Sequence, residues 1–410
     1  MAAFPLPEGF FPPMALSADD AARYRRTSKE RVAQLVRILE DAECAYQWTA
    51  LPPNAGNGGV SRRASRVAAS RPVVCHRAQF LDLRPTSKAA SASTLLKASA
   101  LVADVRADEV LSVAAKSSTR EFRRLMATLL GATFVDGRTL ATLPSSGRSA
   151  VHSQAVPHYR AIKWHCLETA SPPTKLLDFV YLEYAGRRSP RPGSSSVVAF
   201  CVQTAVERPE VPVLPGVERC SLPRVGLIVS RVPHQRSTCR VTALCQLDSP
   251  SPELAAVMQR WVVASISRLN ALLERQRVGR LRFVEQWQWI PNGERQACAV
   301  CLRGFFFHRK HHCRTCGEVV CSTCAPLREL EEPILDIPTL RVCSACLLSA
   351  AALPTGEQIE QSRTTSDDSR AELVSPRHDE YEEVDVALRG RARLGRALRP
   401  QDKLQVLTNV

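Results

Sequence analysis

Residues 309–324 read RKHHCRTCGEVVCSTC. Four cysteines in this run, Cys313, Cys316, Cys321 and Cys324, form two CxxC pairs separated by four residues. A CxxC pair sets two sulfurs on one turn, where they chelate a single ion. Two pairs so close together are hard to fold onto one metal and easy to share between two. Another pair, Cys298 and Cys301, lies 11 residues upstream, and a fourth, Cys343 and Cys346, lies 18 residues downstream. The spacing predicts a cross-brace. Cys298, Cys301, Cys321 and Cys324 hold one ion, and Cys313, Cys316, Cys343 and Cys346 hold the other. Tetrahedral S4 sites suit zinc, so two Zn2+ are expected. A structural zinc is worth about 10–16 kcal/mol in finger peptides. That replaces a core in a stretch with few large apolar residues besides Trp287, Trp289 and the phenylalanines at 305–307.

Eight cysteines fill both sites, so His311 and His312 are not needed as ligands. They stand beside Arg309, Lys310 and Arg314, five basic or hydrogen-bonding side chains in six positions. The natural target of such a group is phosphate, which arginine grips with paired N–H donors. On a strand, alternate residues share a face. Arg309 and His311 then point one way, and Lys310 and His312 the other. The pocket must also draw on neighbouring backbone and on the strand of Arg341.

RKHHCR resembles the R(R/K)HHCR motif of the FYVE zinc finger, and Arg341-Val342-Cys343 resembles that family's RVC landmark. The resemblance spans about residues 289–348. It implies phosphatidylinositol 3-phosphate as ligand and a cytoplasmic protein peripheral on endosomal membrane. By position, Arg309, Lys310, Arg314 and Arg341 would contact the 1- and 3-phosphates, and His311 and His312 the phosphates and ring hydroxyls. The family's WxxD landmark is here WIPN, with Trp289 and Asn292. An amide oxygen accepts a hydrogen bond, but its NH2 donates, unlike a carboxylate. Looser selectivity for the singly phosphorylated ring is the expected consequence. The family's turret loop dips apolar residues into the bilayer. The resemblance assigns that role to Phe306 and Phe307, with Phe305 packed inside.

The chain has 410 residues, enough for two or three domains. Its formal charge of +15 points to an anionic partner, a membrane surface or nucleic acid. The basic residues are spread along the chain, which argues against nucleic acid. No apolar run approaches the roughly 20 residues that span a bilayer. The start, MAAFPLPEGFFPPM, lacks the pattern of a secretory signal, so an intracellular protein is expected. The other seven of fifteen cysteines have no repeated spacing and read as reduced, packed thiols.

A helix is predicted over 17–41, with Ser17 and Asp20 as a capping pair. Residues 54–70 read as a mobile basic loop. Between 73 and 248, seven strand-like runs alternate with turn signals, interrupted by the helical segments ADEVLSVAAK and TREFRRLMATLLG. A long helix follows over 252–277, capped by Ser251 with Pro252 in its first turn. This α+β order resembles the START-like helix-grip fold, a curved antiparallel sheet with a long C-terminal helix. The phrases EFRRLMATLLG, AIKWHCLE and DFVYLEYAG are similar to START-like domains that precede FYVE fingers in oomycete proteins. The resemblance implies a lipid or other apolar ligand beneath the C-terminal helix. The expected domains are an N-terminal extension (1–16), a START-like domain (17–285), a finger (286–349) and a disordered tail (350–410).

No P-loop, GxSxG or HExxH motif is present, so an enzyme is not expected. His165 and Cys166 are adjacent and would face opposite sides of a strand. The alternative reading is a RING-like ubiquitin ligase or a protein-interaction zinc finger. RING domains share the cross-brace, but usually include a histidine ligand and lack RKHHCR.

Overall fold

The computed structural model describes residues 3–41, 46–52, 73–81, 92–143, 159–170, 172–188, 196–248, 250–306, 309–334 and 337–352. The basic loop expected at 54–70, and the expected tail from 353 onward, lie outside the described residues. The chain divides into two units, Met1–Leu273 and Glu274–Val410. The boundary expected at 285 therefore falls earlier, inside the last helix.

The first unit opens with α1 (Ala18–Asp41), where Ser17 Oγ accepts from the Asp20 N–H at 3.0 Å. Then come β1 (Thr49–Ala50), β2 (His76–Leu81), β3 (Ala92–Ala103), α2 (Ala107–Ala114), α3 (Thr119–Leu130), β4 (Phe134–Leu143), β5 (Tyr159–Glu168) and β6 (Leu176–Arg187). The unit continues with β7 (Val197–Ala205), β8 (Val217–Cys220), β9 (Arg224–Val232), β10 (Gln235–Asp248), α4 (Pro252–Ser267) and α5 (Leu269–Arg280). One sheet runs β1-β2-β3-β10-β9-β7-β6-β5-β4, with every neighbour antiparallel; β8 adds to β6 in parallel.

Period-2 alternation explains how the sheet is covered on both faces. In β5, Ile162, Trp164 and Cys166 point to one side, and Lys163, His165 and Leu167 to the other. Phe179 and Tyr181 of β6 share the second side, where they join Phe122 of α3 and Val257 and Val262 of α4. On the first side, Val32, Leu35 and Val36 of α1 pack on Tyr184, Phe200, Ile228 and Leu244. Thus His165 and Cys166 do sit on opposite faces.

Three features depart from the sequence reading. Residues 3–16 are not a separate extension. Phe4 stacks on Trp164 at 6.4 Å, Phe11 meets it edge-on at 5.2 Å, and the Leu6 N–H donates to Asp136 Oδ2 at 2.9 Å. The large indole on that face needs an apolar cover, and α1 lies over other strands. The long C-terminal helix is broken at Arg268, whose N–H reaches both Ala264 O and Ile266 O. Finally, β4 was not foreseen, nor were the short β1 and β8. The β4 sequence FVDGRTLATL interrupts the apolar pattern with Asp136 and Gly137, and register shifts mark its pairing with β5.

The second unit is small. It contains the end of α5, a short ladder of β11 (His311–His312) with β12 (Val319–Val320), a hairpin of β13 (Leu327–Ile334) with β14 (Ile337–Arg341), and α6 (Ser344–Ala352). Its core is Val278, Val320, Ala325, Val342 and three cysteines, with Leu281, Phe283 and Phe305 packed around them. Val278 is why the unit begins inside α5. That side chain is fully buried among the finger's cysteines.

Candidate metal centre and anion-binding face

Among the described residues, two groups of four cysteines converge. Cys298, Cys301, Cys321 and Cys324 form one, and Cys313, Cys316, Cys343 and Cys346 the other. Within each group all sulfurs lie within 4.8 Å of one another. Cys301 and Cys321 are 3.9 Å apart, and Cys313 and Cys346 are 4.0 Å apart. A tetrahedral ion with bonds of about 2.3 Å to sulfur needs sulfurs about 3.8 Å apart. The residues present fit such an ion, and the interleaving of pairs is that of a cross-brace.

Backbone N–H donors reach four of these sulfurs. N–H groups of Cys321 and Cys343 donate to Cys298 and Cys313, each at 3.3 Å. Those of Cys324 and Cys346 donate to Cys321 and Cys343, each at 3.4 Å. Burial raises the Cys298 thiol, but backbone donors from Cys301, Cys321 and Val300 outweigh it and bring it down to about 6. The Cys313 thiol is held far below its usual range by hydrogen bonds from Cys316, Cys343 and Cys346.

Trp289 organises the basic run. The His312 ring stacks on it at 4.9 Å and 21°, and the Arg314 guanidinium lies 4.0 Å from its ring centre. Gly317 makes the approach possible. Its φ is +73°, and a Cβ there would meet Gln288 O at 2.9 Å. Only glycine adopts such a conformation at no steric cost.

Alternation along residues 309–312 gives the two faces different work. Lys310 Nζ donates to the Asn292 carbonyl at 2.7 Å, and His312 Nε2 bonds the Ile290 carbonyl at 2.9 Å. A carbonyl only accepts, so His312 carries its proton on Nε2. This pair grips the Ile290–Asn292 turn. The other face is electrostatically exposed. Burial, then Arg341, Arg309, Arg314 and His312, lower the pKa of His311. Burial and Arg309 likewise lower Arg341. Arg309, His311, Arg314 and Arg341 therefore form one cationic group.

The seven residues expected to share a headgroup pocket thus divide. Arg309, His311, Arg314 and Arg341 come together. Lys310 and His312 already hold backbone carbonyls, and Asn292 is exposed, with its carbonyl taken by Lys310. Arg314 spends one donor on His312 O at 3.0 Å, and Arg341 one on Ala325 O at 2.8 Å. In the loop before them, Phe306 is 91% exposed and Phe305 packs into the finger core. Phe307 lies outside the described residues.

A brace missed in the sequence supports this face. Arg328 pairs with Glu274 at 2.7 Å and donates to Val342 O at 3.1 Å, the residue between Arg341 and Cys343. The Val284 N–H donates to Arg314 O at 2.8 Å, while Val284 O accepts from Trp289 Nε1 at 3.4 Å. The only sequence signal was a helix pattern running past Leu273 with a charged end.

No helix among the described residues is long and apolar enough to cross a membrane. In the Bos taurus protein "Zinc finger FYVE domain-containing protein 26", 61 residues are 44% identical; they cover 14% of this chain and 2% of that protein. The chain therefore corresponds to only a small part of that relative. The solution structure of the LM5-1 FYVE domain from Leishmania major is 30% identical, with a TM-score of 0.15, over 18% of this chain and 87% of that domain. Human StAR-related lipid transfer protein 5 aligns over 62% of this chain and 95% of its own, at 14% identity and a TM-score of 0.34. Residues 288–351 match the family model of the FYVE zinc finger, and within them lie both cysteine quartets and the whole cationic group.

Proposed function

We propose that this chain binds phosphatidylinositol 3-phosphate at the cytoplasmic surface of endosomal membranes, and that two zinc ions hold its finger in shape. One observation carries the reading. Arg309, His311, Arg314 and Arg341 gather as one cationic group, and Phe306, three residues before Arg309 in the chain, is exposed. A phosphomonoester meets the need of such a group, because arginine donors and phosphate oxygens match in geometry. The finger's role is binding rather than catalysis. Four thiolates would fill each metal and leave no open position for a substrate.

The test is vesicle binding across phosphoinositides. Binding should favour the 3-phosphate. Arg309→Ala should weaken it roughly 10- to 100-fold, the worth of a charge-assisted hydrogen bond, with zinc content unchanged. Equal binding to all phosphoinositides and to plain phosphatidylcholine would defeat the proposal. The same panel reads the effect of Asn292, for which looser selectivity among phosphorylated rings is expected.

An apolar ligand of the first unit belongs to this proposal. Lys163, Phe179, Tyr181 and Val225 on the sheet, and Val262 on α4, are all fully buried. A ligand between α4 and the sheet would contact these side chains.

A further inference from the structure

Leu327 opens β13 and is 56% exposed. Its partner across the hairpin is Arg341. Directly opposed residues of an antiparallel pair present their side chains on one face, with Cβ atoms about 4.5–5.5 Å apart. Arg341 belongs to the cationic group with Arg309 and His311. Phe306, three residues before Arg309, is 91% exposed. The cationic group therefore has an exposed leucine opposite Arg341 across the hairpin, and an exposed phenylalanine three residues before Arg309 in the chain.

This combination selects the kind of partner. A free phosphate in water satisfies the arginines but leaves both apolar side chains wet. A phospholipid surface offers phosphate and, just beneath it, hydrocarbon. We propose that Leu327 is a second membrane-contacting residue, entering a phosphoinositide bilayer beside Arg341 as Phe306 enters it beside Arg309. Contact at two points also fixes how the finger meets the bilayer plane, which a single inserted loop leaves free to swivel. The proposal rests on the headgroup reading above and adds to it.

The experiment compares two ligands with the full chain. One is phosphatidylcholine vesicles carrying phosphatidylinositol 3-phosphate; the other is soluble inositol 1,3-bisphosphate. Leu327→Ser should weaken vesicle binding about fivefold, from the lost burial of a half-exposed leucine. It should leave zinc content and binding of the soluble headgroup unchanged. Leu327→Trp should strengthen vesicle binding. Unchanged vesicle binding by Leu327→Ser would overturn the proposal. So would an equal loss for vesicles and soluble headgroup, because Leu327 would then act by positioning Arg341. A switch from dimer to monomer on sedimentation would also overturn it, marking the surface as a contact between copies. Failure of the headgroup reading itself looks different: the unmodified chain would bind neither ligand with preference.

Discussion

His165 is a buried titratable group that must stay neutral. It bonds Tyr181 Oη through Nδ1 at 3.3 Å and stacks on Phe179 at 4.8 Å. Burial, and then the charge of Lys163, push its pKa down to about 3. Lys163 in turn pairs with Glu183 at 2.5 Å, and Gln203 supports the same carboxylate at 3.2 Å. In the unfolded chain the imidazole titrates near its ordinary value of about 6.5. Between about 6.5 and 3 the unfolded state therefore binds the extra proton, and stability falls as pH falls. Above about 6.5 both states are neutral and the residue adds no pH dependence. His165→Gln should flatten the stability–pH curve of the full chain in that window, measured by denaturant unfolding. A curve as steep as the unmodified protein's would show that other groups govern the acid response.

Among the elements, the end of α5 is part of the finger. Val278 buries among its cysteines, and Glu274 reaches Arg328, which holds the Val342 carbonyl. The Glu274 carboxylate is 39% exposed, so its Coulombic share is modest. The buried carbonyl matters more, since losing its partner costs about 1–3 kcal/mol. Arg328→Met is expected to destabilise the zinc-loaded finger by that amount, while Glu274→Gln costs about 1 kcal/mol or less. Chemical denaturation of both variants checks the order. The Arg275–Glu329 pair beside it is exposed at Glu329 and contributes less.

For the whole molecule, two units imply two cores of different origin. The first unit is held by a sheet covered on both faces by apolar side chains. The second has a handful of apolar residues around cysteine quartets. Strong chelation should therefore remove one unfolding transition in calorimetry and leave the other in place, because a finger without metal loses about 10–16 kcal/mol per site. Loss of both transitions on chelation would show that the sheet unit does not stand without the finger.

The cross-brace was legible in the sequence because metal coordination is strict. Four sulfurs per ion and a four-residue gap between pairs leave few ways to close two sites. Strands such as YRAIKWHCLE were legible because period-2 alternation is a local property. By contrast, β4 was hidden by Asp136 and Gly137, whose places are set by the N-terminal segment and by Phe122 beneath. What the sequence by itself determined is which cysteines pair and that a basic run remains free of metal. Only the tertiary structure decided which of those cations remain open to an anion. Lys310 and His312 are occupied by carbonyls some twenty residues away, and Arg341 is brought to Arg309 by a hairpin whose anchor, Arg328, is paired with a helix more than fifty residues upstream. Long side chains find their partners in space, and no local spacing rule reports where those partners will stand.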